Sequence, residues 1–285
     1  MVADVKNAAI FLYKIRIENV AILLIIKVVF FAFERMNFMK KIICLLLAFA
    51  LVFTLCACGK EGSSDETSDK STETISANDT VNTCKVGDYI TFGSYEQNNE
   101  TSDGAEEIEW LVLDVKEGKA LLISKYALDC KPYNTEFVDI TWENCTLRQW
   151  LNEEFINSAF SEDELKKILT TTVVAEDNEE ARSEAGNDTQ DKMFLLSISE
   201  VEKYFGSDEA RASAATEFAV NQGSVVGGAD GPEAYRGNCS WWLRSPGYGQ
   251  GYGTIVDGGG HVYFYDNYVN YDNRSVRPAM WIELG

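Results

Sequence analysis

Between residues 84 and 285, short apolar stretches alternate with clusters of Gly, Asn, Asp and Pro, the rhythm of strands and turns. Residues 88–92 read as a strand broken by Gly93-Ser94. Residues 108–115 form the clearest strand, 116–119 a turn with Gly118, and 120–125 the return, so the pair reads as a β-hairpin. After Trp110 both faces turn apolar, which predicts a strand inside a covered sheet.

The period then lengthens. Leu147, Trp150, Leu151 and Phe155 fall on one face of a helix. Ser161 with Glu164 predicts a capping box opening a second helix. Residues 171–175 read as extended, 176–190 as a polar loop and 193–198 as a buried strand. Ser199 with Glu202 predicts a short capped helix, Ser207 an Ala-rich one reaching Ala219, and 221–238 a Gly-rich loop.

The last fifty residues read as β and turn. Residues 240–245 predict a strand stopped by Pro246-Gly247, and 248–253 a Gly/Tyr loop. Residues 254–257 and 261–266 predict a hairpin across Gly258, Gly259 and Gly260, then 267–275 a loop and 276–284 a closing strand. Strands and helices are segregated and no long period repeats, so the expected class is α+β with an antiparallel sheet.

The N-terminal pattern is different. Met39-Lys40-Lys41, an apolar run over 42–53, then Leu55-Cys56-Ala57-Cys58-Gly59 make the layout of a secretory signal. The Leu-x-Ala-Cys ending resembles a bacterial lipobox, which implies lipidation of Cys58 and cleavage before it. Residues 42–57 are short for a membrane span of roughly 20 residues, which weighs against an uncleaved anchor. A first apolar run over 20–33 is interrupted by Lys27. Translation is expected to start at Met36 or Met39, with 1–35 an extension; a genuine first membrane helix is the alternative. Residues 59–83 are Ser, Thr, Asp, Glu, Asn, Lys and Gly with little apolar content, so 58–83 is expected to be a lipidated cysteine on a disordered acidic tether. The expected organisation is therefore 1–57 targeting, 58–83 tether, and 84–285 one globular domain.

Charge narrows the function classes. The net charge is −20, and the first 57 residues carry seven Lys/Arg against three Asp/Glu, leaving about −24 on the rest. Such a surface repels nucleic acid, whose phosphates need clustered cations. The single histidine, His261, excludes sites that need two imidazoles. Residues 223–231 lack the Lys of a phosphate-binding loop.

Several strings resemble a bacterial family of unknown function common in secreted lipoproteins: 241–247 (WWLRSPG), 276–282 (VRPAMWI), 87–90, 109–112 and 146–151. Such domains are similar, more distantly, to the C-type-lectin-like fold shared with formylglycine-generating enzymes and the variable proteins of diversity-generating retroelements. That resemblance implies a twisted antiparallel core, peripheral helices and a ligand surface made by long C-terminal loops and strands. The enzymes of that fold need several histidines or a late reactive cysteine pair. Here only His261 exists, and only Cys239 lies late in the chain, so their chemistry is not expected to carry over.

Within 261–265, alternation puts Val262 and Phe264 on the core face and Tyr263 and Tyr265 outside. With Tyr248, Tyr252, Tyr268, Asn270, Tyr271 and Asn273 they form the expected ligand-binding set, since Tyr and Asn on loops give large contact area and adaptable hydrogen bonding. Local packing of these tyrosines over a sheet is the alternative. Trp241, Trp242, Arg244, Arg277 and Trp281 are expected to be structural, the arginines through ion pairs or carbonyls. Residues 187–191 offer hard oxygen donors suited to Ca²⁺ but lack EF-hand spacing, so no cofactor is expected beyond a possible Ca²⁺. Cys239 with His261 could make a dyad, and Cys84, Cys130, Cys145 and Cys239 allow three full disulfide pairings. The expected function is a lipid-anchored, extracytoplasmic, non-catalytic domain that binds a glycan or protein. An enzyme of the same fold and a structural envelope protein are the rivals.

Overall fold

The hairpin read from alternation is the centre of the first sheet in the computed structural model, which describes residues 83–285. The expected signal segment, Cys58 and nearly all of the tether lie outside the described residues. Fourteen strands are described: β1 Tyr89–Tyr95, β2 Glu106–Lys116, β3 Lys119–Ser124, β4 Asp129–Cys130, β5 Thr171–Val173, β6 Thr189–Asp191, β7 Met193–Phe194, β8 Ser213–Ala214, β9 Asn238–Cys239, β10 Trp241–Gly247, β11 Gly249–Val256, β12 Val262–Tyr263, β13 Ser275–Val276 and β14 Ala279–Glu283. One sheet runs β1-β2-β3-β14-β7 and the other β12-β11-β10-β13-β4, with β5-β6 and β8-β9 as separate pairs. Helices are short: a run of Thr146–Trp150, a π turn Leu151–Phe155 and Ile156–Ala159, then Glu162–Lys167, Ile198–Tyr204, Asp208–Arg211 and Glu217–Asn221. The class is α+β.

Burial explains why these elements hold. In β3, Leu121, Leu122 and Ile123 are all buried, as expected of a strand covered on both faces. Trp110, Trp241 and Trp242 are fully buried. Each indole N–H has a carbonyl acceptor: Phe92 at 2.6 Å, Arg211 at 3.3 Å and Lys131 at 3.0 Å respectively. The large rings are therefore desolvated without orphaning a donor, which would cost roughly 1–3 kcal/mol each.

Five readings of the pattern are corrected. Residues 248–253 are mostly strand β11, not loop: a Cβ on Gly253 would stand 2.6 Å from the Trp242 ring, so glycine lets the strand lie against the indole. Strand β10 runs through Pro246-Gly247 instead of stopping before them. The capping box opening Ile198–Tyr204 is Ser197 with Glu200, two residues earlier than expected, and the Ser245 hydroxyl accepts the first helical N–H, from Ile198, at 3.0 Å. The Ala-rich helix after Ser207 ends at Arg211, because Ser213–Ala214 pairs as β8 with β9; a separate helix capped by Thr216 follows. The closing segment also divides, into β13 and β14, on either side of Arg277-Pro278. The box at Ser161 and Glu164 is as read from the sequence.

Candidate functional site

Pairing of β11 with β12 places Ile255 opposite Tyr263 and Val256 opposite Val262. That register puts Phe264 in the interior, at 9% exposure, and leaves Tyr263 and Tyr265 at 43% and 41%. Tyr248 is more open still, at 60%; its N–H donates to the Phe264 carbonyl at 2.8 Å and its ring lies 5.5 Å from that of Tyr265. Tyr263 meets Tyr265 edge-on at 5.9 Å. These three rings form one aromatic group.

A second group stands on the next turn of chain. Tyr252 and Tyr268 face each other through a β-bridge with ring centroids 4.8 Å apart. Tyr271 meets Tyr268 edge-on at 5.2 Å and carries the Arg274 guanidinium at 5.5 Å. Arg274 is itself held by Asn267 and by Asn273 at 2.8 Å. Hydrogen bonding with Tyr268 raises the Tyr252 phenol above its usual value. Asn270 is exposed and Asn273 half-buried. Sequence reading missed one member: Phe137, 57% exposed on the 131–141 segment, packs edge-on against Tyr268 at 5.1 Å. Its only signal was an apolar pair, Phe137-Val138, in an otherwise polar stretch.

Beneath the first group, Val262 and Phe264 help close a cleft of about 430 Å³ whose walls carry Glu176, Asp177, Glu179, Glu180 and Glu202. The two arginines lie elsewhere and are buried. Arg244 donates to the carbonyls of Leu195 at 2.8 Å and Val174 at 3.3–3.4 Å, and to the Glu200 carboxylate. Arg277 donates to the Ser124 carbonyl at 2.8 Å and lies over the Trp241 ring at 5.1 Å; burial pulls it down to about 10. Trp281 is half-buried in β14 under the Lys116 ammonium.

The remaining candidates are dispersed. Cys239 donates to the Ser213 carbonyl at 3.4 Å, while both His261 nitrogens face carboxylates, Asp257 at 3.2 Å and Asp208 at 3.4 Å. The two residues thus have separate partners and make no dyad. All four cysteines of the described residues are buried free thiols, so no disulfide pairing is formed. Desolvation raises Cys130 and Cys145 to about 12, far from thiolate chemistry. In 187–191 the oxygens serve the fold: Asp188 accepts the Ala175 N–H at 2.8 Å, and buried Asp191 accepts from Arg148 at 2.7 Å and Trp142 at 2.9 Å. No group of three or more His, Cys, Asp or Glu among the described residues is placed to hold a metal.

No curated protein and no solved structure matches the chain. A family model does match, over residues 117–284. The match begins at the β2–β3 turn and takes in both aromatic groups; β1 and β2 precede it yet pair into the same sheet as β3. Since that stretch is more than half of the chain, the protein belongs to the family described as domain of unknown function (DUF6273).

Proposed function

We propose that the chain is a bacterial cell-surface lipoprotein, anchored through Cys58, whose domain binds a glycan or protein ligand without chemistry, in a C-type-lectin-like manner. The observation that carries the reading is the gathering of Tyr248, Tyr263 and Tyr265, and of Tyr252, Tyr268 and Tyr271, into two ring clusters. Rigid aromatic rings beside exposed amides give a large contact area at low entropy cost, and ring faces stack on sugars or on side chains. The neighbouring acidic cleft favours neutral or cationic groups on the ligand. Buried thiols with raised pKa values speak against Cys130 or Cys145 as a nucleophile.

The test is a glycan array probed with the full-length chain, with and without Ca²⁺, in parallel with crosslinking to surface proteins. Tyr263→Ala and Tyr271→Ala should each weaken whatever signal is found by about 2 kcal/mol, roughly thirtyfold, if the rings are central anchors. A signal that both variants retain in full would move the ligand off this surface.

A further inference from the structure

A second cleft, of about 370 Å³, lies between the chain leaving β4 and the helical run that starts at Thr146. That volume is in the range of small-molecule pockets. Its walls bring together Lys131, Trp150, Glu153, Glu154, Gln149 and Thr135, a cation facing the same space as two carboxylates.

The cation is held in place. The Lys131 N–H donates to the Arg274 carbonyl at 3.2 Å, and its own carbonyl accepts the Trp242 indole at 3.0 Å, so its backbone is pinned on both sides. The ammonium sits 4.6 Å from the centre of the Trp150 ring and 4.0 Å from the Asp129 carboxylate. Asp129 is buried and takes the Tyr95 hydroxyl at 2.6 Å. An ammonium fixed this way meets an anion with less ordering cost than a free surface lysine.

The opposite charges stand on an irregular helix. Glu153 and Glu154 belong to the π turn Leu151–Phe155, where the run departs from α geometry between two α segments. Single π turns inside helices recur at functional sites. This one is latched to the sheet: the Asn152 amide donates to the Met193 carbonyl at 2.8 Å, and its oxygen accepts the N–H groups of Lys192 at 3.0 Å and Met193 at 3.1 Å. Both glutamates are exposed.

We infer that this cleft is a binding site for a small zwitterion, an α-amino acid being the simplest, with Lys131 taking the carboxylate and Glu153 and Glu154 the ammonium. Trp150 walls the space for an apolar side chain, while Gln149 and Thr135 offer hydrogen bonds. A neutral sugar could hydrogen-bond to these groups but would bring no counter-charge to any of them, and a simple anion or cation would meet one wall of the wrong sign. The site is separate from the two tyrosine groups and stands or falls independently of them.

Isothermal titration calorimetry and thermal shift on the full-length chain, against the L-α-amino acids, test this, with glucose and acetate as neutral and anionic probes. At least one amino acid should bind, and its N-acetyl and carboxamide derivatives should not. Lys131→Gln and the double variant Glu153→Gln/Glu154→Gln should each weaken that binding about tenfold or more, while Tyr263→Ala leaves it unchanged. The double variant alters only exposed carboxylates, so it reports binding even if Lys131→Gln disturbs Asp129. No heat and no melting shift with any amino acid at about 10 mM, well above a millimolar Kd, would overturn the inference. So would binding that is indifferent to the double variant, or glucose binding as tightly as the best amino acid.

Discussion

Arg148 reaches back from the first turn of its helix to the carboxylate of Asp191, Nε to Oδ1 at 2.7 Å, and joins the helix to strand β6. The carboxylate side chain is 1% exposed and also accepts the Trp142 indole at 2.9 Å and the Thr189 hydroxyl at 2.6 Å. A charge so enclosed is tolerable only because every donor converges on it.

Asp191→Ala should therefore destabilise the fold by about 3 kcal/mol, since it removes the counter-charge of Arg148, which keeps its bond to the Glu143 carbonyl, and leaves the buried Trp142 and Thr189 donors without their acceptor. Urea unfolding measures the loss. Asp191→Asn keeps an acceptor and should cost less; an Ala variant within about 0.5 kcal/mol of the parent, as for an ordinary surface change, would show that the network contributes nothing.

Packing and recognition should separate along β12 and its continuation. Phe264→Ala should cost about 3–5 kcal/mol, toward the lower figure because the ring edge lines an open cleft. Tyr263→Ala, on an exposed ring, should change stability by about 0.5 kcal/mol or little more. Thermal melting of the two variants side by side decides it: if the Tyr263 variant melts as early as the Phe264 one, the inward face has been assigned to the wrong residues.

Asp129 should give stability a local pH dependence. Desolvation raises its folded pKa above the ordinary carboxylate value, against smaller opposing contributions from Tyr95, Lys131 and the Cys130 N–H. Below the unfolded pKa of about 3.9 both states are protonated and there is no penalty. As pH rises from there through the folded pKa, the folded state must give up a proton it holds more tightly, so stability is lost; above the folded pKa the full penalty remains. Asp129→Asn removes this slope. Relative to the parent, the variant should gain stability as pH rises from about 4 and then level off, read from urea midpoints across pH. A variant that loses ground over that window would mean the carboxylate is held ionised.

Lipidation rests on the series Met39-Lys40-Lys41, the apolar run and Leu55-Cys56-Ala57-Cys58. Cys58→Ser should abolish fatty-acid labelling and release the protein from the membrane fraction. Unchanged labelling would remove the anchor from the proposed function.

What the sequence determined by itself was local. Alternation over 108–125 placed the central hairpin, Ser161 with Glu164 placed a helix start, and alternation in 261–265 sorted Phe264 from its tyrosine neighbours; each depends on contacts a few residues apart. Tertiary structure decided the rest. Two Ser-x-x-Glu strings overlap at 197–202, and Ser245, far along the chain, stands where Ile198 needs an acceptor. The Gly/Tyr stretch reads as loop by composition, yet it becomes β11 because Trp242 lies against Gly253 and β10 offers a partner. Phe137 joins Tyr268, and Lys131 faces Glu153 and Glu154, only after the sheets have assembled. Proline apart, local propensity is a difference of about 1 kcal/mol or less per residue; one buried indole or satisfied carboxylate outweighs it, and neither is visible until distant segments meet.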